Sequence, residues 1–542
     1  MFINFNELDQ FPAIFRDYLY DFNKVKKYYF SDFRDSSQFP TFFKNLLSSK
    51  HSHQTELAEI IRDQYNGKNT SEKTGKALSL LDHENTLFIV TGQQLGMFSG
   101  PLYTIYKAIT AIKMAEQMNQ QYVNINFIPV FWLEGDDHDF DEVRKATVIS
   151  DDNSHKRVYY DDGLPEDTDR GFMGELAFNE NILTTLNDLK SSLRKTEFTD
   201  SIIQLFQTYY EPGKTFKEGF RELLRILFDE YGLIIFDPQD NRVKNLLKPV
   251  FLNELENFRP HTEQLIRISA ELEEVYHAQA KIRPVNLFLR HENGRFALEP
   301  LEEGGFRLKR KKIKYTKEEL ETLVNEQPEL FSPNVMLRPV CQDFLFSTAF
   351  YIGGPGEISY FAQAFTIYNF FKINRPILVP RASATLIEKN IQTVFKKYEV
   401  DYKEIFLKGE QLIDMIIREK SLTDMETVFG DASNTLDQTF GALKSYVAEI
   451  DKVTSDTVDK YKARVEQFLE ELKKRTVDAE KNKNDTITRQ FQKALMSILP
   501  FNELQERELN YFYFANKYGP GLIHRLYNEI DVQKYEHQLI EL

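Results

Sequence analysis

The sequence predicts an α/β protein with a parallel-sheet core, two inserted β-containing subdomains and a C-terminal α-helical coiled coil. Three observations predict it. Short apolar runs at residues 87–90, 125–133, 232–236, 349–352 and 377–379 each end in a polar or glycine-rich turn, as parallel strands buried on both faces do. The first two runs flank a glycine-bearing segment and a helical stripe of Leu102, Ile105, Ile109 and Ile112, which makes a strand–loop–helix–strand unit. From Leu436, apolar residues recur at spacings of four and three through Tyr461, then shift and continue through Val465, Phe468 and Leu472. That is coiled-coil patterning with a stutter.

Each element has its local reason. Helical spacing at 11–22 and 54–65 makes the first 86 residues helical. Residues 1–144 then hold these helices and the first half of the core. Hairpin-like text at 145–215 and the Asn293-Gly294 pair within 280–334 mark the insertions, because Asn-Gly favours a two-residue hairpin turn. The core continues at 216–279 and 335–420. An antiparallel coiled coil is expected over 421–500, with its tip at 481–485, and a returning C-terminal helix over 501–542. So long a seam needs either its own returning partner or a second subunit.

Composition narrows the function. The 542 residues carry a formal net charge of −15, which disfavours a nucleic-acid partner, since such binders displace counterions with a basic surface. The basic run RLKRKKIK at 307–314 reads as a solvated edge strand or hairpin. The single cysteine, Cys341, allows no intramolecular disulfide and no thiolate zinc site, and its apolar surroundings read as a buried structural thiol. No basic flank with an apolar run opens the chain, and no stretch of eighteen apolar residues occurs, so a cytoplasmic protein without a membrane span is expected.

Five segments could carry chemistry. TGQQLGMFSGPLY (91–103) follows a strand and opens a helix, so backbone can approach a ligand closely and helix-start N–H groups favour an anion. Its spacing fits neither the dinucleotide nor the P-loop pattern. EGDDHDFDE (134–142) crowds five carboxylates, from Asp136 to Glu142, around His138 just past a strand. Such crowding calls for a cation or a basic substrate, and a histidine there suits a general base; magnesium is also conceivable on hard oxygen ligands. GGPGEISY (353–360) is a second anion-cradling loop. PRASAT (380–385) places Arg381, Ser383, Ala384 and Thr385 after a strand, with the arginine suited to a phosphate. In QERELNYFYFANKYG, Arg507, Asn510 and Lys517 fall on one helical face. The strand ends should converge on one cleft.

The segments VTGQQLGMFSGPLYTIYKAITAIKMA (90–115), IPVFWLEGDDHDFDEV (128–143), FYIGGPGEISYFAQ (350–363) and VPRASATLIEK (379–389) resemble the cysteine-adding BshC family of bacillithiol synthesis, and the likeness covers essentially the whole chain. The resemblance implies a Rossmann-like core similar to class I aminoacyl-tRNA synthetases, connecting-peptide insertions at 145–215 and 280–334, and a coiled coil supporting a homodimer. It implies a ligase that couples L-cysteine to glucosaminyl-malate. By position, Asp136, Asp137 and His138 are the expected catalytic groups. Thr91, Gly92, Gln93, Gln94, Gly96, Ser99, Gly100, Tyr103, Trp132, Glu134, Asp141, Gly353, Gly354, Gly356, Glu357 and Tyr360 are expected to contact substrate. Arg381, Ser383, Ala384, Thr385, Arg507, Asn510 and Lys517 are expected to meet ATP or ADP. The alternative is a nucleotide-binding scaffold of the same pathway. A tRNA synthetase is disfavoured by the absence of HIGH and KMSKS strings.

Overall fold

The computed structural model of the chain describes residues 1–8, 10–49, 53–420 and 425–542. It divides into two compact units, residues 1–386 with 503–540, and 387–502 with 541–542.

The first unit is built on five parallel strands: β1 (Thr86–Gln94), β2 (Asn126–Glu134), β3 (Ile234–Phe236), β4 (Thr348–Gly353) and β5 (Ile377–Pro380). All five coincide with the apolar runs of the sequence. Leu87, Phe88, Ile89 and Val90 are almost wholly buried, and each such side chain contributes roughly 1.5–3 kcal/mol on burial. The order is β5-β4-β1-β2-β3. The chain therefore lays strands outward from β1 to β3, returns, and lays β4 and β5 on the other side. This is the Rossmann-like arrangement, and its direction reverses between β1 and β4, where ligands bind beyond the carboxyl ends. Register fixes those ends together: Gln94 stands beside Glu134, Val90 beside Tyr351, and Gly353 beside Pro380.

Helix α1 (Leu102–Gln121) packs on β1 and β2, and α2 (Pro355–Ala364) follows β4. The N-terminal residues are mainly helical, and the helix Phe39–Ser48 packs on β1 and β4. The insertion after β2 holds one hairpin, Lys145–Ile149 with His155–Tyr159, and two helices; the text GFMGELAF, read as hairpin-like, forms no strand beyond a short 3-10 turn at Met173–Glu175. The later insertion is a five-stranded sheet containing Leu287–His291 and Gly294–Pro300, joined through Asn293. The basic run 307–314 forms its edge hairpin, with Lys314 opposite Arg307.

The second unit is helical. α3 (Met425–Ile450) and α4 (Lys452–Ile498) pair, with Lys444 bridging Asp459 at 2.5 Å and Lys462 bridging Asp437 at 2.5 Å. The turn lies at Asp451, whose carboxylate caps α4 by accepting from the N–H groups of Val453 and Thr454. The expected tip at 481–485 instead lies inside α4. An aspartate at a cap ends one helix and starts the next, and this outweighs the continuous apolar seam. The C-terminal end of α4 buries Ile487, Phe491, Ala494 and Ile498, with Phe491 against Phe395 and Tyr398. The expected boundary at 420/421 thus falls inside this unit, and residues 421–424, the expected start of the coil, lie outside the described residues. Among the described residues no helix is long and apolar enough to cross a membrane.

Candidate active site at the sheet's switch point

The carboxyl ends of β1, β2 and β4 open onto a cleft of about 600 Å³. Gly92, Asp137 and Gly354 all line it, so the two glycine-bearing bends and the acidic bend do meet. Gln93, Gln94, Tyr103, Trp132, Glu134, His138, Gly356, Glu357, Tyr360, Arg381 and Arg507 line it as well.

One ammonium organises the floor. Lys107, on α1 and 3% exposed, donates to the carbonyl of Gly92 at 2.8 Å and to Oε1 of Gln93 at 2.9 Å, and pairs with Glu357. Glu357 also accepts from the Gly354 N–H at 2.8 Å and from Tyr351 Oη at 2.6 Å. Burial pushes the Glu357 carboxyl up, but Lys107 and these donors outweigh it and hold it below the usual carboxylate range. Packing at Gly92 is tight: a Cβ there would stand 3.0 Å from the Trp132 carbonyl oxygen, so β2 would have to shift slightly to admit one.

The wall facing it belongs to the acidic bend and the later insertion. Asp137 accepts from the His138 N–H at 2.7 Å and from the Gln94 amide. Burial works against its charge, yet His138, Arg295 and Gln94 hold the carboxyl well below the usual range. Arg295 stacks on Phe288 at 3.8 Å and donates to Ser332 Oγ and the Pro333 carbonyl, each at 2.9 Å. Its remaining nitrogen lies 3.2 Å from Nδ1 of His138, and Asp137 Oδ1 lies 3.2 Å from the same atom. A guanidinium only donates and a carboxylate only accepts, so the ring serves one or the other. A bare Nδ1 takes Arg295, and a protonated one takes Asp137. Glu134 accepts from Trp132 Nε1 at 3.2 Å and lies 3.5 Å from Arg338; burial pushes its carboxyl up, against the pull of Arg338.

The cleft is positive although the chain is acidic. Lys107, Lys281, Arg283, Arg295, Arg338, Arg381 and Arg507 line it against three carboxylates, Glu134, Asp137 and Glu357. Anionic ligand groups are therefore favoured in a partly desolvated site.

Several expected site residues do other work. Asp136 turns inward, where Lys244 Nζ lies 2.5 Å away and Gln239 Nε2 3.1 Å away; it is 4% exposed and absent from the cleft lining, so it serves the core. Thr91 is buried and donates to the Ile352 carbonyl, tying β1 to β4. Ser99 is buried in a turn where Phe98, Ser99 and Gly100 take φ of 53°, 75° and 69°. Such strain persists only where surroundings enforce it. Here Asn510 Nδ2 donates to the carbonyls of Phe98 at 2.8 Å and Gly100 at 2.9 Å, and the first N–H of α1, at Leu102, goes to the Leu509 carbonyl. That helix start is thus satisfied by the chain itself. Gly96, Gly100, Asp141 and Asn510 line a neighbouring cavity of about 450 Å³ that shares Gln93, Gln94, Tyr103 and Arg507 with the cleft. Gly353 lies in β4, and Cys341 is buried away from the cleft.

The expected nucleotide set does not assemble. Glu506, fully buried, accepts from Arg381 at 2.7 Å, Ser383 Oγ at 2.9 Å and the Ala384 N–H at 2.9 Å. Ser383 and Thr385 each lie 2.8 Å from a ring nitrogen of His537, which burial pushes down to about 4. The ring is therefore neutral at ordinary pH. Arg507 belongs to the short helix Gln505–Glu508, Asn510 caps the next one, and Lys517 packs on Tyr513. Only Arg381 and Arg507 of that set reach the cleft. The carboxylates of the acidic bend also diverge, and among the described residues no group of three or more His, Cys, Asp and Glu side chains could hold a metal ion.

Comparison with known proteins identifies the architecture. Residues 1–382 match the model for the bacillithiol biosynthesis BshC N-terminal Rossmann-like domain, and residues 384–542 match its C-terminal coiled-coil domain. The chain belongs to the BshC family. A relative from Salinibacter ruber, named "Putative cysteine ligase BshC", is 33% identical over 98% of this chain and 97% of its own. Relatives of the same name from Chloroherpeton thalassium, at 33% over 98% and 97%, and from Flavobacterium psychrophilum, at 28% over 97% and 97%, extend the likeness.

In this BshC chain the sequence reading missed Lys107, Lys281, Arg283, Arg295 and Arg338. The one signal for Lys107 was a lysine between Tyr106 and Ala108 in otherwise apolar helical text. The placement of Asp136 is testable. Lys244→Met strands a buried charge and should lower stability by about 3–5 kcal/mol in urea unfolding, with Asp136→Asn/Lys244→Met recovering part of it. Loss of turnover in Asp136→Asn with unchanged stability would restore Asp136 to the chemistry.

Proposed function

We propose that this chain joins the carboxyl of L-cysteine to the amine of glucosaminyl-malate, forming the amide that completes bacillithiol. Family membership and the relatives' names support a cysteine ligase of this pathway. The observation that carries the reading is the surplus of arginine and lysine in a cleft at the sheet's switch point, which suits a co-substrate bearing carboxylates.

Amide formation requires an activated cysteinyl carboxyl, an acyl-adenylate or acyl-phosphate made with ATP. As the amine attacks the carbonyl carbon, the bond from that carbon to the phosphate-bearing oxygen breaks, AMP or phosphate leaves with its electron pair, and the amine sheds one proton. Asp137, held low, is a weak base. With Nδ1–H on Asp137, His138 presents a bare Nε2, so His138 takes the proton and Asp137 orients the ring. Purified protein incubated with cysteine and glucosaminyl-malate, with and without ATP, should yield bacillithiol by mass spectrometry. His138→Gln should cut kcat by about 10²–10⁴. Absence of product under every activation condition would refute the ligase, and full activity in His138→Gln would remove only the base.

The coil supports a homodimer. Leu443, Tyr446, Ile450, Tyr461, Phe468 and Leu472 are all large, apolar and exposed along α3 and α4, a face suited to a second copy. Light scattering should give twice the 63.8 kDa chain mass, and Tyr461→Glu/Phe468→Glu should halve it. A monomer at micromolar concentration would contradict the dimer.

A further inference from the structure

Two cleft cations are not committed to a carboxylate. Every other cleft arginine or lysine lies within 4.0 Å of one: Lys107 of Glu357, Arg295 of Asp137, Arg338 of Glu134, Arg381 of Glu506 and Arg507 of Glu503. Lys281 and Arg283 line the same cleft with no such partner among the described residues. Arg283 packs over Phe288 at 5.1 Å.

Both sit on a segment without helix or strand between Glu273 and Leu287, yet that segment is pinned. Gln363, fully buried on α2, accepts from the Ala280 N–H at 3.0 Å and donates to the Ala280 carbonyl at 3.0 Å. A second pin is Thr262, whose hydroxyl donates to the Pro284 carbonyl at 2.8 Å. A primary amide that reads both groups of one residue fixes the backbone immediately before Lys281. Tyr360 stands three residues before Gln363, on the same face of α2, and its hydroxyl accepts from Arg338 at 3.2 Å. One face of α2 therefore holds Arg338 and the backbone just before Lys281, while Thr262, on the helix Lys248–Glu273, holds the chain just after Arg283.

We infer that Lys281 and Arg283, together with Arg338, form a subsite for a ligand bearing two carboxylates, with Gln363 as the residue that positions it. The inference rests on the ligase reading for its biological ligand, the malyl end of the co-substrate. Two cations in excess of the local carboxylates complement a dianion, and the planar guanidinium forks match carboxylate geometry.

Titration calorimetry on the full chain, with malate as probe and lactate and inorganic phosphate as comparators, tests this without turnover. Malate should bind, lactate should bind at least about tenfold more weakly, and Lys281→Met and Arg283→Met should each weaken malate about tenfold. Arg283→Lys should recover part of that loss, and Gln363→Met should weaken malate while leaving the melting of the protein cooperative. Equal malate affinity in Lys281→Met/Arg283→Met, tighter binding of phosphate than of malate, or no malate binding to the unaltered protein would each overturn the subsite. Malate binding through these residues without bacillithiol formation would instead count against the ligase alone.

Discussion

A buried ammonium stands where the sheet reverses direction, and the cleft is arranged around it. The β1 end supplies a carbonyl and a side-chain amide to Lys107, and the start of α2, after β4, supplies a carboxylate. These two strands are neighbours in the sheet although more than 250 residues separate them in the chain. Parallel pairing aligns their backbones, but it does not fix the loops beyond them. Lys107 does so, because an ammonium out of water requires all of its acceptors. Gly354 and Glu357 then stand opposite Gly92 and Gln93 at a set distance. Asp137 is fixed in turn through Gln94.

Charge is distributed to match. The surface is acidic overall, while arginines and lysines from α1, the later insertion, the segment before it and the C-terminal return converge on one concavity. A concave site of one sign within a surface of the other concentrates anionic ligands and repels large polyanions. The insertion thereby has a chemical role: its hairpin delivers Arg295 to His138, and the ring's proton decides between a cation and a carboxylate.

The strands and their ends were legible because strands buried on both faces read as unbroken apolar runs closed by glycine or polar turns. Membership of one cleft followed from topology. Side-chain direction was not legible. Asp136 and Asp137 are adjacent and equally acidic, yet across the bend just past β2 one turns to Lys244 and the other to the cleft. Ser383, Ala384 and Thr385 were expected, with Arg381, to meet a nucleotide, but Glu506, a residue 121 positions beyond Thr385, takes up Ser383 and the Ala384 N–H, and His537 takes up Thr385. Lys107 showed only as a lysine within apolar helical text, and that does not settle its place, since tertiary packing alone separates a buried lysine from a solvated one. The coil's turn at Asp451 was hidden because a capping aspartate fits the polar positions of a heptad as well as any other charge.

The most direct test is a double-mutant cycle of Lys107→Met and Glu357→Gln read by denaturant unfolding. Each single change leaves a buried group without its partner, and the lysine change should cost about 3–5 kcal/mol. The double variant should lose clearly less than the sum of the two. Strict additivity, with no coupling between the two positions, would mean that the ammonium does not hold the strand ends together.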